Sequence, residues 1–258
     1  MQGLLGISDL SRTGTGENRR NFRRGDTLRL IRGFSGTTLI DFPGRIASIV
    51  FIGGCNFRCP FCHNPELVLP DLIQKLPILT SEEVFEELQN RRGFIQGVTI
   101  TGGEPLVWDS LIDFVRGIKS LGLEVKIDTN GSFPERLKKL KILVDYVAMD
   151  IKSSPSKYHL ATGTDIDLDK LKESIAIVKT FRDYEFRTTV VPGFVDQEDI
   201  HEIGEIIKGA KRYVLQQFKP TKAIDPDTLS IIPYTLERLE DFRETIKDYV
   251  DEVIIRSY

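Results

Sequence analysis

The chain has 258 residues, 40% of them hydrophobic, enough for one sizeable core, so a single catalytic domain over 28–258 is expected. Charged residues make up 28% and the formal net charge is −3, which argues against a nucleic-acid-binding surface over the whole protein. The sequence holds neither an apolar run of about 18 residues nor a secretory leader pattern, so neither a membrane nor secretion is expected.

Charge is uneven along the chain. Residues 1–32 hold seven arginines against Asp9, Glu17 and Asp26, a balance of +4 that leaves −7 for the remainder. A basic stretch rich in Ser, Thr, Gly and Asn reads as a solvated tail, here 1–27, and is assigned no function. Residues 28–40 suit a short hairpin or edge elements, with Gly33 and Gly36 near the bend.

From residue 45 onward strand-like and helix-like stretches alternate. Strands are predicted near 46–52, 97–101, 123–128, 145–150, 185–191 and 212–217. Between them, Thr80 and Glu83 have capping-box spacing ahead of Val84, Phe85 and Leu88, and Asp109 precedes the apolar series Leu111, Ile112, Val115 and Ile118. Pro134 suits a helix start, Leu168, Leu171, Ile175 and Val178 recur at helical intervals, and Ile200, Ile203 and Ile207 do so after Asp196. These stripes are packing faces, not ligands. Lys219 to Pro233 reads as a loop, a helix is predicted over 235–249, and the apolar tail Val253-Ile-Ile255 is expected to cap the fold.

The alternation implies an α/β protein whose parallel strands are joined by helical crossovers. Six such units are fewer than the eight of a closed barrel, and periodicity alone allows an open barrel or a flat doubly wound sheet.

All three cysteines lie within eight residues, Cys55-Asn-Phe-Arg-Cys59-Pro-Phe-Cys62, after a strand-like segment and a Gly53-Gly54 turn. Their clustering argues against structural disulfides and for a reducing, cytoplasmic setting. Three thiolates are one fewer than a closed iron–sulfur or structural zinc site takes, which leaves one coordination position for chemistry. The competing reading adds the imidazole of His63 and closes a structural zinc site, as in an interaction module. Further motifs fall at the carboxyl ends of the next predicted strands: Thr101-Gly-Gly-Glu-Pro105, Asp128-Thr-Asn-Gly131 and Ala148-Met-Asp-Ile-Lys152. In parallel α/β proteins that edge carries the ligands.

The cysteine spacing, with Phe61 before the last cysteine, resembles the signature of the radical S-adenosylmethionine (SAM) superfamily. With Thr38-Leu-Ile-Asp-Phe-Pro-Gly44, His63-Asn-Pro-Glu66 and the three later motifs, the likeness extends to the glycyl-radical activating enzymes over about residues 33–220. Tyr184-Glu-Phe-Arg-Thr-Thr-Val-Val-Pro-Gly193 and Tyr213-Val-Leu-Gln-Gln-Phe218 are most similar to the activating proteins of anaerobic ribonucleoside-triphosphate reductase.

The resemblance implies an open, partial parallel β/α barrel of about six units. It implies one 4Fe–4S cluster on Cys55, Cys59 and Cys62, with SAM bound by its amino and carboxylate groups at the open iron. Around SAM it places the peptide groups of Gly102 and Gly103, Glu104 as turn holder or acceptor, and Asp128, Asp150 and Lys152 as charged partners. In the pyruvate formate-lyase activating enzymes a monovalent cation sits in a pattern that Asp128, Thr129, Met149 and Asp150 preserve. Arg187 could reach a carboxylate in the same region or pair with Glu185. Some relatives carry a histidine after the sixth strand, where this chain has Gln216. The implied partners are a glycyl radical enzyme, with the anaerobic reductase first and a pyruvate formate-lyase-like enzyme second, and an external donor such as flavodoxin or ferredoxin. A radical SAM enzyme acting on a small molecule, such as a deazapurine precursor, is the remaining alternative.

Overall fold

The computed structural model describes residues 31–257, so the arginine-rich segment 1–27 lies outside the described residues. The described chain folds into two compact units, one of 31–55 with 66–126 and one of 56–65 with 127–257. Strand order follows chain order from the first strand to the eighth, the topology expected of an open β/α barrel.

In the first unit, β1 (Ile31–Thr38) runs antiparallel to β2 (Ala47–Ile52), and β2 runs parallel to β3 (Gly97–Gly102). Of the two expectations for 28–40, the hairpin is absent from the described part and the edge element is present: β1 is a single strand at the edge of the sheet. Its glycines are strand residues at close approaches rather than a bend: a Cβ on Gly33 would lie 3.2 Å from the Phe51 ring, and one on Gly36 2.6 Å from the Arg91 guanidinium. The single-turn helices α1 (Pro65–Val68) and α2 (Pro70–Ile73) follow the cysteine loop, then α3 (Ser81–Asn90) and α4 (Leu111–Ser120). The predicted capping box of α3 is present, with Thr80 N donating to Glu83 Oε2 at 2.7 Å and Glu83 N to Thr80 Oγ1 at 3.2 Å.

The boundary between the units falls within β4 (Glu124–Thr129). In the second unit β5 (Tyr146–Asp150), β6 (Tyr184–Val190), β7 (Ala210–Gln217) and β8 (Val250–Arg256) are all parallel. Crossovers are α5 (Pro134–Leu140), α6 (Tyr158–Thr162) with α7 (Leu168–Val178), α8 (Gln197–Ile207) and α9 (Leu236–Ile246). The predicted apolar stripes are the buried faces: Leu171, Ile175 and Val178 on α7, and Ile200, Ile203 and Ile207 on α8. The tail Val253-Ile-Ile255 closes the chain as an eighth strand at the sheet's other edge, where Val253, Ile254 and Ile255 pair in register with Tyr213, Val214 and Leu215. Among the described residues no helix is long and apolar enough to cross a membrane.

Candidate active site

In the first unit, β2 runs straight into Gly53, Gly54 and Cys55, and the turn after β3 is laid against it. Gly103 N donates to Ile52 O at 2.9 Å, Glu104 N to Gly54 O at 2.8 Å, and Gly54 N to Leu67 O at 2.8 Å. A Cβ on Gly102, at φ +129, would stand 2.2 Å from Ile52 O, and one on Gly103 2.1 Å from Gly54 O. Backbone meets backbone here, so neither neighbour can step aside. The Glu104 side chain is fully buried and accepts from Leu106 N at 3.0 Å, which caps the short turn Pro105–Val107. The Gly-Gly-Glu motif therefore shapes the approach to Cys55. Gly103→Ala is expected to lower the thermal midpoint and the iron bound after reconstitution together; unchanged iron loading would detach the motif from the cysteine loop.

In the second unit, Cys62 N donates to Cys59 O at 3.1 Å and closes a tight turn. Three segments hold this loop. Arg58 N donates to Thr162 O at 2.8 Å, where Gly163 leaves room that a Cβ would close to 2.3 Å from Arg58 O. Pro60 O accepts from Ile224 N and Asp225 N, each at 3.0 Å, so the predicted 219–233 loop is pinned to the cysteines. Phe61 packs edge-on against Phe194 with ring centroids 5.1 Å apart, in a cluster with Ala161, Val191 and Phe218.

Beyond the loop, charged side chains gather at the carboxyl ends of β4 and β5 and within β6. The sheet register pairs Asp150 with Arg187, placing both on one face. Asp150 Oδ1 accepts from Arg187 Nε at 2.9 Å and Asp150 Oδ2 from Lys152 Nζ at 2.9 Å, while Arg187 Nη1 lies 3.4 Å from Asp128 Oδ2. Two carboxylates thus face two cationic groups, and the charge among these four side chains balances without a metal ion. Of the two partners expected for Arg187, the carboxylates at the strand ends are the ones it meets; the fully buried Glu185 is held by Arg256, at 2.9 and 3.1 Å, and by Tyr146 OH at 2.9 Å. Met149 is fully buried on β5, and its Cε occupies the space a Cβ on Gly131 would take.

Burial alone would raise the pKa of Asp150, but Arg187 and Lys152 outweigh it and hold the carboxyl well below its ordinary range. For Lys152, burial works to discharge the amine, and Asp150 and Cys59 more than offset it, keeping it protonated. Burial pushes the Cys59 thiol up to about 11 despite Lys152 nearby. The depressed Asp150 pKa contributes stability that is complete above its unfolded value of about 4 and is lost as pH falls through the folded value. Urea midpoints of metal-free protein should therefore drop less between about pH 5 and about pH 3 in Asp150→Asn than in wild type; equal drops would rule out this contribution.

In kind, though not in their present grouping, the three thiol donors suit an iron–sulfur group. Cys59 is buried, and its thiol is protonated unless a cationic centre binds it; Phe57 and Phe61, also buried, give the loop an apolar lining. Among the described residues no three His, Cys, Asp or Glu side chains are grouped so as to hold a metal ion. His63 packs on Phe218 at a centroid distance of 6.0 Å, and burial, then Lys152 and Lys219, lower its pKa. His159 and His201 are exposed.

Residues 49–209 match the radical SAM superfamily. A candidate glycyl-radical enzyme activating enzyme of Methanocaldococcus jannaschii is 34% identical over 236 residues, covering 88% of this chain and 96% of the relative. This chain is a radical SAM enzyme of the glycyl-radical activating family. The pyruvate formate-lyase-activating enzyme of Listeria monocytogenes is 29% identical over 242 residues, covering 84% of this chain and 92% of the relative. QueE from Escherichia coli shares the fold, with a TM-score of 0.57 at 16% identity over 91% of this chain and 96% of that one. A 4Fe–4S cluster and SAM are the cofactors of this radical SAM family.

Proposed function

We propose that this activating enzyme installs a glycyl radical on an anaerobic ribonucleoside-triphosphate reductase. The activating family itself follows from its relatives; the choice of target rests on the reductase-like stretch 184–193. That stretch includes β6, which carries Arg187 into the charged group at the carboxyl ends of β4 and β5. The same β6 segment anchors β5 at two further points, with Thr188 Oγ1 donating to Ile151 O at 2.8 Å and Ile151 N to Arg187 O at 2.7 Å.

In this reading Cys55, Cys59 and Cys62 hold the cluster through their sulfurs. Bound there, the cluster and SAM would supply the one-electron cleavage chemistry that leads to hydrogen abstraction at the target glycine. The chain's own work is to bind, orient and exclude water. Lys152 offers its ammonium to the SAM carboxylate, and Asp128 and Asp150 offer acceptors to its ammonium or ribose. The turn at Gly102, Gly103 and Glu104 supplies peptide groups, while Phe57 and Phe61 keep the cysteine loop dry. Arg187 is a positioning residue that fixes both carboxylates. A monovalent cation beside Asp128 and Asp150 is an added ligand in this reading, tested by comparing cleavage rates in potassium and in a bulky organic cation. With no cysteine beyond these three, the chain has no thiolates for a second cluster, so the electron comes from a separate cytoplasmic donor such as a reduced flavodoxin or ferredoxin.

The second reading, favoured by the Listeria relative, keeps the chemistry and changes the partner to a pyruvate formate-lyase-like enzyme. Anaerobic incubation with SAM, reductant and either partner separates them by electron paramagnetic resonance. The reductase is expected to give a glycyl doublet whose splitting collapses when the glycine α-position is deuterated. A doublet on the lyase alone would move the function to the second reading.

A further inference from the structure

Glu185 and Arg187 stand two residues apart on β6, so their side chains leave the same face of the strand. The last strand sends a cation to that face as well: Arg256 on β8 pairs in register with Gln216 on β7, and Gln216 with Thr189 on β6, two residues beyond Arg187. Glu185 is fully buried, and the Arg256 guanidinium forks onto it, Nη1 donating to Oε1 at 3.1 Å and Nη2 to Oε2 at 2.9 Å. Arg212 is committed elsewhere, with Nε donating to Glu252 Oε2 at 2.8 Å, and reaches Glu185 through Tyr146 OH, which lies 2.9 Å from each. Three carboxylates, those of Asp128, Asp150 and Glu185, therefore face three cations, those of Lys152, Arg187 and Arg256.

A buried carboxylate that loses its cation is strongly disfavoured, and the strand period puts Arg187 beside Glu185. Burial works against the charge of Arg187, and Asp128, Asp150 and then Glu185 sustain it. Glu185 thus competes for the guanidinium that fixes the two carboxylates at the strand ends. Arg256 ends that competition. We propose that Arg256 is a positioning residue for SAM, neutralising Glu185 so that Arg187 stays on Asp128 and Asp150. This rests on the reading that Asp128, Asp150 and Lys152 meet SAM, and it deepens that reading by giving the last strand, which carries none of the motifs, a part in SAM affinity.

The test measures SAM affinity by anaerobic equilibrium dialysis on reconstituted enzyme, in wild type, in Arg256→Met, and in Arg256→Met combined with Glu185→Gln. Arg256→Met keeps most of the aliphatic stem and drops the charge; it should bind SAM about tenfold more weakly at wild-type iron content. In the double variant no carboxylate remains at 185 to draw Arg187 away, and affinity should return to within about twofold of wild type. A general loosening of the fold would weaken both variants alike. Crystal structures give the second readout: Arg187 should leave Asp128 for Glu185 in Arg256→Met and return in the double variant. Should Arg256→Met not fold, Arg256→Lys takes its place, with one point charge for the fork, an expected loss of about threefold and the same cure by Glu185→Gln. Wild-type affinity in the single variant, equal losses in single and double, or an Arg187 that does not move would overturn the proposal. Lys152→Ala separates the two levels of failure. If it weakens SAM while Arg256→Met does not, only the positioning role falls; if neither does, the reading of the SAM site falls with it.

Discussion

Cys59→Ala is expected to give a folded chain that holds no stable 4Fe–4S cluster and cleaves SAM only at background. The residue is 8% exposed, on the turn closed by Cys62 N and Cys59 O, with its flanks fixed by Thr162 and by the 224–225 backbone. That scaffold does not depend on the sulfur, so the metal-free variant should lose no more than about 1 kcal/mol of stability. In the proposed function the cluster does depend on it. The sequence has no fourth cysteine to substitute, and His63 is packed against Phe218. Iron and sulfide content after anaerobic reconstitution, with 5′-deoxyadenosine as the activity readout, checks both halves. Full iron loading with normal cleavage would remove Cys59 from the ligand set.

Lys152→Ala should separate SAM binding from cluster binding. Lys152 Nζ sits 2.9 Å from Asp150 Oδ2, and its backbone N donates to Tyr158 OH at 3.3 Å, so the peptide stays in place when the side chain is cut. Asp150 keeps Arg187 as a partner, which limits the folding cost. What is lost is one charge-assisted contact to a carboxylate, worth about 1.5 to 3 kcal/mol, or roughly ten- to hundredfold in SAM affinity. Iron content should match wild type, and Lys152→Arg should restore part of the affinity. Equal SAM affinity in wild type and Lys152→Ala would reduce Lys152 to a structural partner of Asp150.

Strands with a strong pattern were legible without coordinates. The segments 97–101 and 145–150 correspond to β3 (Gly97–Gly102) and β5 (Tyr146–Asp150), because Val, Ile and Ala sit between clear turn residues. Strand β8 was not. An apolar run of three residues after a helix carries no period, and its identity comes from pairing with Tyr213, Val214 and Leu215, a long-range fact. β1 was obscured by its glycines, which serve side-chain approaches from Phe51 and Arg91 far along the chain.

The candidate site divides in the same way. The cysteines and the Asp128, Asp150 and Lys152 motifs stand out by local spacing and by falling at strand ends. Arg187 gained its place only from register: Asp150 lies opposite it, and Glu185, the near neighbour in sequence, is taken by Arg256 from the last strand. The ring in which Asn130 Nδ2 donates to Asn56 Oδ1, Asn56 Nδ2 to Ser132 Oγ and Ser132 Oγ to Asn130 Oδ1 had only the Asp-Thr-Asn-Gly phrase as a signal, because two of its three bonds join residues more than seventy positions apart.

The central claim is tested most directly by anaerobic reconstitution with iron and sulfide, followed by reduction with dithionite in the presence of SAM. The expected result is methionine and 5′-deoxyadenosine in equal amounts, dependent on the cluster and absent in Cys59→Ala. A chain that binds one zinc, resists iron loading and leaves SAM intact would contradict the account.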